Sequence, residues 1–511
     1  MLRQLLSVSG FTLLSRVTGL VRDLMSAAIL GAGLVADAFF VALRLPNHFR
    51  AIFGEGALNA AFVPVFTRLH EVAGVEAARR FADNVWTTML LVQAMILAAA
   101  LAFMPQVVGL LAPGFSDDPE KFALAVTLTR ITFPYLFFIT LVTLISGMLN
   151  SVGRFAAAAA APVLLNVSMV AALGMAFLFP SSGHAAAWGV AVAGVLELAL
   201  VWADAARAGV APRLARPRLD TDARAFLGAL GPAILGSAGV QIAIFADTII
   251  ASLLPTGAVS SIYYADRLYQ LPVGVIAIAA GTVLLPTMTR QIAGGHTDEA
   301  HRAQNRTLAL SLLLATPCAV AFLTVPDLIM NALFGRGAFS AEAADAAGAV
   351  LAAYAIGLPA IVMIPSLVAS FRSRLDTATP AIVSLVAIGI NVAIKIALAG
   401  RLGAPGLALA TAIGAWVNCG LLYFLAIRRG WSAPNKRLVH TILAMVPACA
   451  LLAVTALLAN HFAAPWTGLL PHFRTEAQLV AVALAGALTY SVALLILLKL
   501  LRVPLPFRRA P

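Results

Sequence analysis

The chain has 511 residues, 61% hydrophobic and only 11% charged, with a formal net charge of +12. A soluble domain carries about 25% charged residues, so the composition excludes an ordinary soluble protein and makes lipid the main solvent. The basic excess does not call for nucleic acid, because Lys and Arg of a polytopic chain gather in cytoplasmic loops beside anionic lipid.

Apolar runs long enough to cross a ~30 Å hydrocarbon core recur from end to end. About fourteen spans are predicted, beginning near residues 5, 34, 84, 122, 157, 185, 226, 257, 307, 343, 378, 404, 438 and 476. The first contains "SRVTGLVRD" at 15–23, which brings Arg16, Arg22 and Asp23 into an otherwise greasy segment. On a helical wheel Leu13, Leu14, Val17, Leu20, Val21 and Leu24 fill one half. Arg16, Asp23, Thr12, Gly19, Ser15, Arg22 and Thr18 fill the other, the pattern of a helix beside a wet cavity. Arg16 interrupts the apolar region and no small-residue cleavage site follows, so a cleaved signal is not expected.

The second span repeats the device. Asp37 and Arg44 lie seven apart on one face, Pro46 is expected to break the helix, and "NHFRAIFGEG" places Arg50 and Glu55 around the kink. Turn chemistry marks later breaks at 31–33, 112–121, 180–184, 254–257 and 400–405, and the basic loops alternate with these. The positive-inside rule then puts both termini in the cytoplasm and makes the number of spans even. The longest loop, roughly 203–225, is basic and Pro-containing and reads as a linker. With no loop long enough for a soluble catalytic domain, an enzyme is not expected. Cys318, Cys419 and Cys449 all lie in apolar segments and form neither a disulfide framework nor a metal spacing.

Past the linker the pattern returns. "VPVFTR" at 63–68 resembles "LPTMTR" at 285–290, and "GFS" at 114–116 resembles "AFS" at 338–340. "LVADAFFVALRL" at 34–45 resembles "AVSSIYYADRLY" at 258–269, all at nearly one offset. The predicted architecture is an all-α polytopic membrane protein of about fourteen transmembrane helices. Two six-helix lobes form a parallel repeat, and two C-terminal helices follow. The boundaries are residues 1–208 for the N-lobe, 209–225 for the linker, 226–430 for the C-lobe and 431–511 for the last two helices and tail. Two such bundles are a transporter plan, with the substrate site expected between them near the midplane.

Seven basic residues fall at membrane depth: Arg16, Arg22, Arg44, Arg50, Arg130, Arg267 and Lys395. Each costs about 2.5–3.5 kcal/mol on insertion scales, so most must face water, a partner or a ligand. Asp23, Asp37, Glu55 and Asp266 offset part of that charge and leave an excess of guanidinium, which suits phosphate or carboxylate. Asp247, in mid-span, is a functional candidate by default. Glu197 and Lys395 read as packing or snorkelling residues. No GxxxxGK[ST] motif occurs, so direct ATP use is not expected.

At "SRVTGLVRD", "DAFFVALRLPNHFRAIFGEGALNAAFVP", "APGF", "ITFPY" and "YYADRL" the chain resembles the MurJ/MviN family of lipid II flippases. That family belongs to the multidrug/oligosaccharidyl-lipid/polysaccharide exporter superfamily. The resemblance implies a bacterial inner-membrane protein that moves undecaprenyl-diphosphate carrying a disaccharide-pentapeptide. It implies cavity-facing arginines at Arg16, Arg22, Arg50 and Arg267 and a required aspartate at Asp37, with Asp23 and Glu55 on motif positions. A sodium site in some members points to Asp247 with Asp376 as candidate ion-coupling residues, so Na+ or H+ coupling joins the membrane potential as a driving force. No other cofactor is expected. The implied partners are lipid II, membrane lipids and the cell-division or elongation machinery. The alternative is export of another anionic polyprenyl-linked oligosaccharide, or of drugs, on the same fold.

Overall fold

The computed structural model describes residues 2–50, 57–467 and 473–503; Glu55 lies outside them. Among the described residues the secondary structure is helical throughout. The helices in chain order are α1 (Leu2–Leu30), α2 (Leu34–Arg50), α3 (Leu58–Arg68), α4 (Val75–Ala102), α5 (Met104–Leu111) and α6 (Pro119–Thr132). Then come α7 (Pro134–Ser151), α8 (Ala156–Gly174), α9 (Ser182–Arg207), α10 (Thr221–Ser252), α11 (Ala258–Ala293) and α12 (Thr297–Thr324). The rest are α13 (Pro326–Phe334), α14 (Ala341–Ala355), α15 (Leu358–Arg372), α16 (Ala378–Arg428), α17 (Lys436–Thr467) and α18 (Arg474–Leu500). Ten helical segments among the described residues are long and apolar enough to cross a membrane. One of them, α16, is two helices joined at Gly403, where φ 58° and ψ −139° need a residue without Cβ.

Pro46 does not break α2, which runs on to Arg50. A proline removes one N–H, here the donor that would reach the Ala42 carbonyl. The buried Thr132 hydroxyl of α6 supplies the missing donor, at 2.8 Å from Ala42 O. The helix therefore keeps its path with that carbonyl satisfied.

By packing, the chain divides into two units. The first comprises Met1–Ser260 with Gly337–Phe339, and the second Ser261–Arg336 with Ser340–Pro511. In the first unit α8 and α9 lie against each other closely enough that a Cβ on Gly189 would sit 2.9 Å from the Met169 Cα. Phe62 stacks on Phe66 and Phe81, and Phe226 meets Phe62 and Phe81 edge-on. These rings fix α10 against α3 and α4, so by contact α10 packs within the first unit, although it follows the linker. The linker itself is laced to α4. Asp83 Oδ1 accepts from the Arg213 N–H at 2.6 Å, Thr87 Oγ1 from the Ala215 N–H at 3.0 Å and Asn84 Oδ1 from the Arg218 N–H at 2.9 Å.

In the second unit, Leu367, Phe371, Val383, Cys419 and Leu422 form a core with Leu308 and Leu438. Tyr490 of α18 donates to the Leu313 carbonyl of α12 at 2.9 Å, and Phe371 meets Trp431 edge-on.

Candidate functional site

The wheel of α1 describes its surroundings. Leu13, Leu14, Val17, Leu20 and Val21 are all exposed along one side, as side chains that face hydrocarbon would be. The other side packs on α8 around one buried amide. Asn166 donates to the Ser15 carbonyl at 2.9 Å and to Thr18 Oγ1 at 3.2 Å, and its Oδ1 accepts from Arg22 Nη1 at 2.9 Å. Arg22 also forks onto Asp23 Oδ1, through Nη2 at 2.7 Å and Nε at 3.0 Å. The guanidinium is thus oriented by an acid from its own helix and an amide from a neighbour. Arg16, two turns earlier, is exposed.

Asp37 finds its partners away from its own helix. Its carboxylate is fully buried and accepts from Lys121 Nζ at 2.9 Å, the Gly257 N–H at 2.8 Å, the Ser260 N–H at 2.9 Å and Ser260 Oγ at 2.8 Å. Lys121, near the start of α6, is itself buried. It donates to Thr256 Oγ1 at 3.3 Å and lies 4.2 Å from the centre of the Phe115 ring. Two carboxylate oxygens hold four donors, which fixes the group in place.

Arg50 ends α2 and is half-buried, while the buried Tyr135 lies on α7 and Glu197 on α9. Tyr135 donates to Glu197 Oε2 at 3.4 Å. Glu197 is only 1% exposed, so its carboxylate does not snorkel. Asp247 is half-buried on α10.

In the second unit Arg267 lies with its guanidinium carbon 4.6 Å from the Tyr263 ring centre, and Asp266 accepts from Gln270 at 3.3 Å. Asp376 stands between spans. It accepts from the Thr379 N–H at 2.9 Å, Thr379 Oγ1 at 2.7 Å and Arg429 Nη1 at 2.6 Å. The two Thr379 bonds, and behind them Arg429, hold its carboxyl below the usual carboxylate range. Among the described residues no three His, Cys, Asp or Glu side chains come together to hold a metal ion.

The sequence alone missed three partners: Asn166 for Arg22, Lys121 for Asp37, and Tyr135 for Glu197. Each is a polar residue inside an apolar run or at a helix start, and that was the only signal available.

The family model described as "Lipid II flippase MurJ" matches residues 26–474. The chain is 42% identical over 458 residues to the "Probable lipid II flippase MurJ" of Rhizobium meliloti (strain 1021), covering 89% of this chain and 85% of that protein. It is 36% identical over 462 residues to the "Lipid II flippase MurJ" of Burkholderia cenocepacia, covering 88% of each. Among solved structures, it matches an inward closed conformation of lipid II flippase MurJ with a TM-score of 0.80. The identity there is 22%, over 97% of this chain and 99% of that one. An inward-facing multidrug resistance transporter of the MATE family shares the fold at a TM-score of 0.63 and 16% identity, over 81% of this chain and 94% of that one.

Proposed function

The chain belongs to the MurJ lipid II flippase family, and from that premise we propose that it moves lipid II from the inner to the outer leaflet of the bacterial cytoplasmic membrane by alternating access. In this reading the diphosphate is bound by Arg16, Arg22, Arg50 and Arg267, and both chain termini are cytoplasmic. The observation that carries the binding step is Arg22, a guanidinium at membrane depth whose planar fork is set by Asp23 and Asn166. A diphosphate cannot enter hydrocarbon unaided, because burying ions costs many kcal/mol. Preset guanidinium groups replace its hydration, and their planar donors match phosphate oxygens in a way that lysine does not.

The membrane potential favours the direction. Each charge moved through 100 mV is worth about 2.3 kcal/mol, so an anionic head group of two or three charges is driven outward by roughly 5–7 kcal/mol. A cationic drug would call for the opposite charge on the site. Of the two candidate ion-coupling acids, Asp376 already caps a helix and bonds Arg429, so Na+ or H+ coupling in this reading rests on Asp247. Binding to the division or elongation machinery belongs to the same proposal.

The test is depletion of the protein in its host, followed by labelling of outward-facing lipid II with a probe that cannot cross the membrane. Exposure should fall, and wild type but not Arg22→Ala should restore it. Unchanged exposure on depletion, in a host without a second flippase, would refute the substrate assignment.

A further inference from the structure

We propose that a basic cavity at one end of the second unit holds the headgroup of an anionic phospholipid of the phosphatidylglycerol class. The cavity has a volume of about 500 Å³ and lies between the end of α11 and the starts of α12 and α17. A space of that size suits one small ligand. Arg302, Arg306 and Arg437 line it, against one carboxylate, Glu299.

Local structure brings these charges together. Arg302 and Arg306 are one turn apart on α12, so they share a face. Arg437 lies in the first turn of α17. Asn435 caps that helix by accepting from the Leu438 N–H at 2.8 Å, and Thr441 Oγ1 donates to the Arg437 carbonyl at 2.8 Å. The buried Asn305 donates to the Ala433 carbonyl at 2.7 Å, which ties the turn before α17 to α12. Like charges one turn apart on a helix are destabilising, and a third guanidinium on the same cavity adds to the repulsion. An anion between them turns repulsion into attraction, and a phosphodiester accepts well from planar guanidinium donors.

Two observations favour a lipid over a soluble anion. The Arg302–Arg306 ridge of α12 continues at the same spacing through Leu310 to Leu314, which is 50% exposed. Charge at the helix end and an exposed leucine two turns deeper match a phosphate at the interface with an acyl chain beside the helix. Arg372, Arg374, Arg428 and Arg429 also stand at this end of the unit. The positive-inside rule sets such an end against the anionic cytoplasmic leaflet, and basic pockets between helices there take lipid headgroups. The choice of leaflet rests on the orientation proposed above; the binding does not.

The experiment measures retention of added phosphatidylglycerol and phosphatidylcholine by the detergent-purified full-length protein, read as lipid adducts by native mass spectrometry. Wild type should retain phosphatidylglycerol in preference to phosphatidylcholine. Each guanidinium removed, in Arg302→Gln, Arg306→Gln and Arg437→Gln, should reduce phosphatidylglycerol retention by about fivefold, and the triple variant should lose the preference. Arg372→Gln combined with Arg428→Gln removes two exposed arginines at the same end but outside the cavity, and should keep it. If the triple variant does not fold, Arg302→Gln, at an exposed position, still decides the matter. Unchanged retention in the cavity variants overturns the proposal. An equal loss in the Arg372 and Arg428 variant also overturns it, by assigning the preference to surface charge in general. Displacement of the lipid by an equal concentration of inorganic phosphate overturns it as well, because the occupant would then be a soluble anion.

Discussion

The Thr132 hydroxyl donates to the Ala42 carbonyl at 2.8 Å, the acceptor that Pro46 deprives of its helical N–H. Thr132→Val keeps the shape and removes the donor. Leaving that buried carbonyl unsatisfied should cost about 1–3 kcal/mol, read as a lower unfolding temperature of the purified protein. Pro46→Ala restores a backbone N–H, so the double variant should recover most of the loss. A double variant no more stable than Thr132→Val would show that the two residues are not coupled.

The buried Lys121–Asp37 pair gives a second stability prediction. Lys121→Met leaves an uncompensated carboxylate in a site with almost no water, a change worth about 3–5 kcal/mol. Asp37→Asn strands the ammonium instead and weakens the bonds from Gly257 and Ser260. Pairing Asp37→Asn with Lys121→Met removes both charges and should destabilise less than either single change. Thermal unfolding of the three variants checks this independently of any transport assay, which matters because Asp37 is also a candidate site residue.

Asp376 should reveal itself through pH. Thr379 and Arg429 lower its carboxyl below the usual range. A depressed folded value means that the contribution is present above the unfolded value and is lost as pH falls through the folded one. Asp376→Asn should therefore lower the unfolding temperature at neutral pH. The gap from wild type should close as pH falls below the usual carboxylate range. A gap independent of pH would assign the effect to packing rather than to charge.

How far these sites were legible depended on where the partner lay in the chain. Arg22 and Asp23 are neighbours, and the wheel of α1 already separated its polar half from its exposed half. Asn166 and Lys121 are 144 and 84 residues from the side chains they bond, and no local period encodes such a distance. Asp37 was flagged as important, but its spacing to Arg44 said nothing of Lys121, Gly257 and Ser260, which hold it. Spans were located by hydropathy, which follows the greasy part of a helix and not its hydrogen bonds. Thus α4 begins at Val75 and α12 at Thr297, well before the predicted 84 and 307, because "VEAARRFAD" and "TDEAHRAQNR" are helical turns too polar for that signal. Pro46 was read as a break because nothing in the sequence shows that Thr132 will satisfy Ala42.

Asn166 provides the sharpest test of whether Arg22 must be held rather than merely present. It bonds the Ser15 carbonyl, Thr18 and Arg22 at once. Asn166→Ala keeps the positive charge and the Asp23 pair but removes an amide that helps set the plane of the guanidinium. If the diphosphate is recognised by a preset fork, this variant should insert at normal levels yet restore well under half of lipid II exposure in depleted cells. Asn166→Gln should do little better, because the added methylene displaces the amide. Arg22→Lys should also restore little, since an ammonium supplies charge without the planar donors. If Asn166→Ala and Arg22→Lys both restore full exposure, charge alone suffices, and the oriented fork is not what binds the lipid.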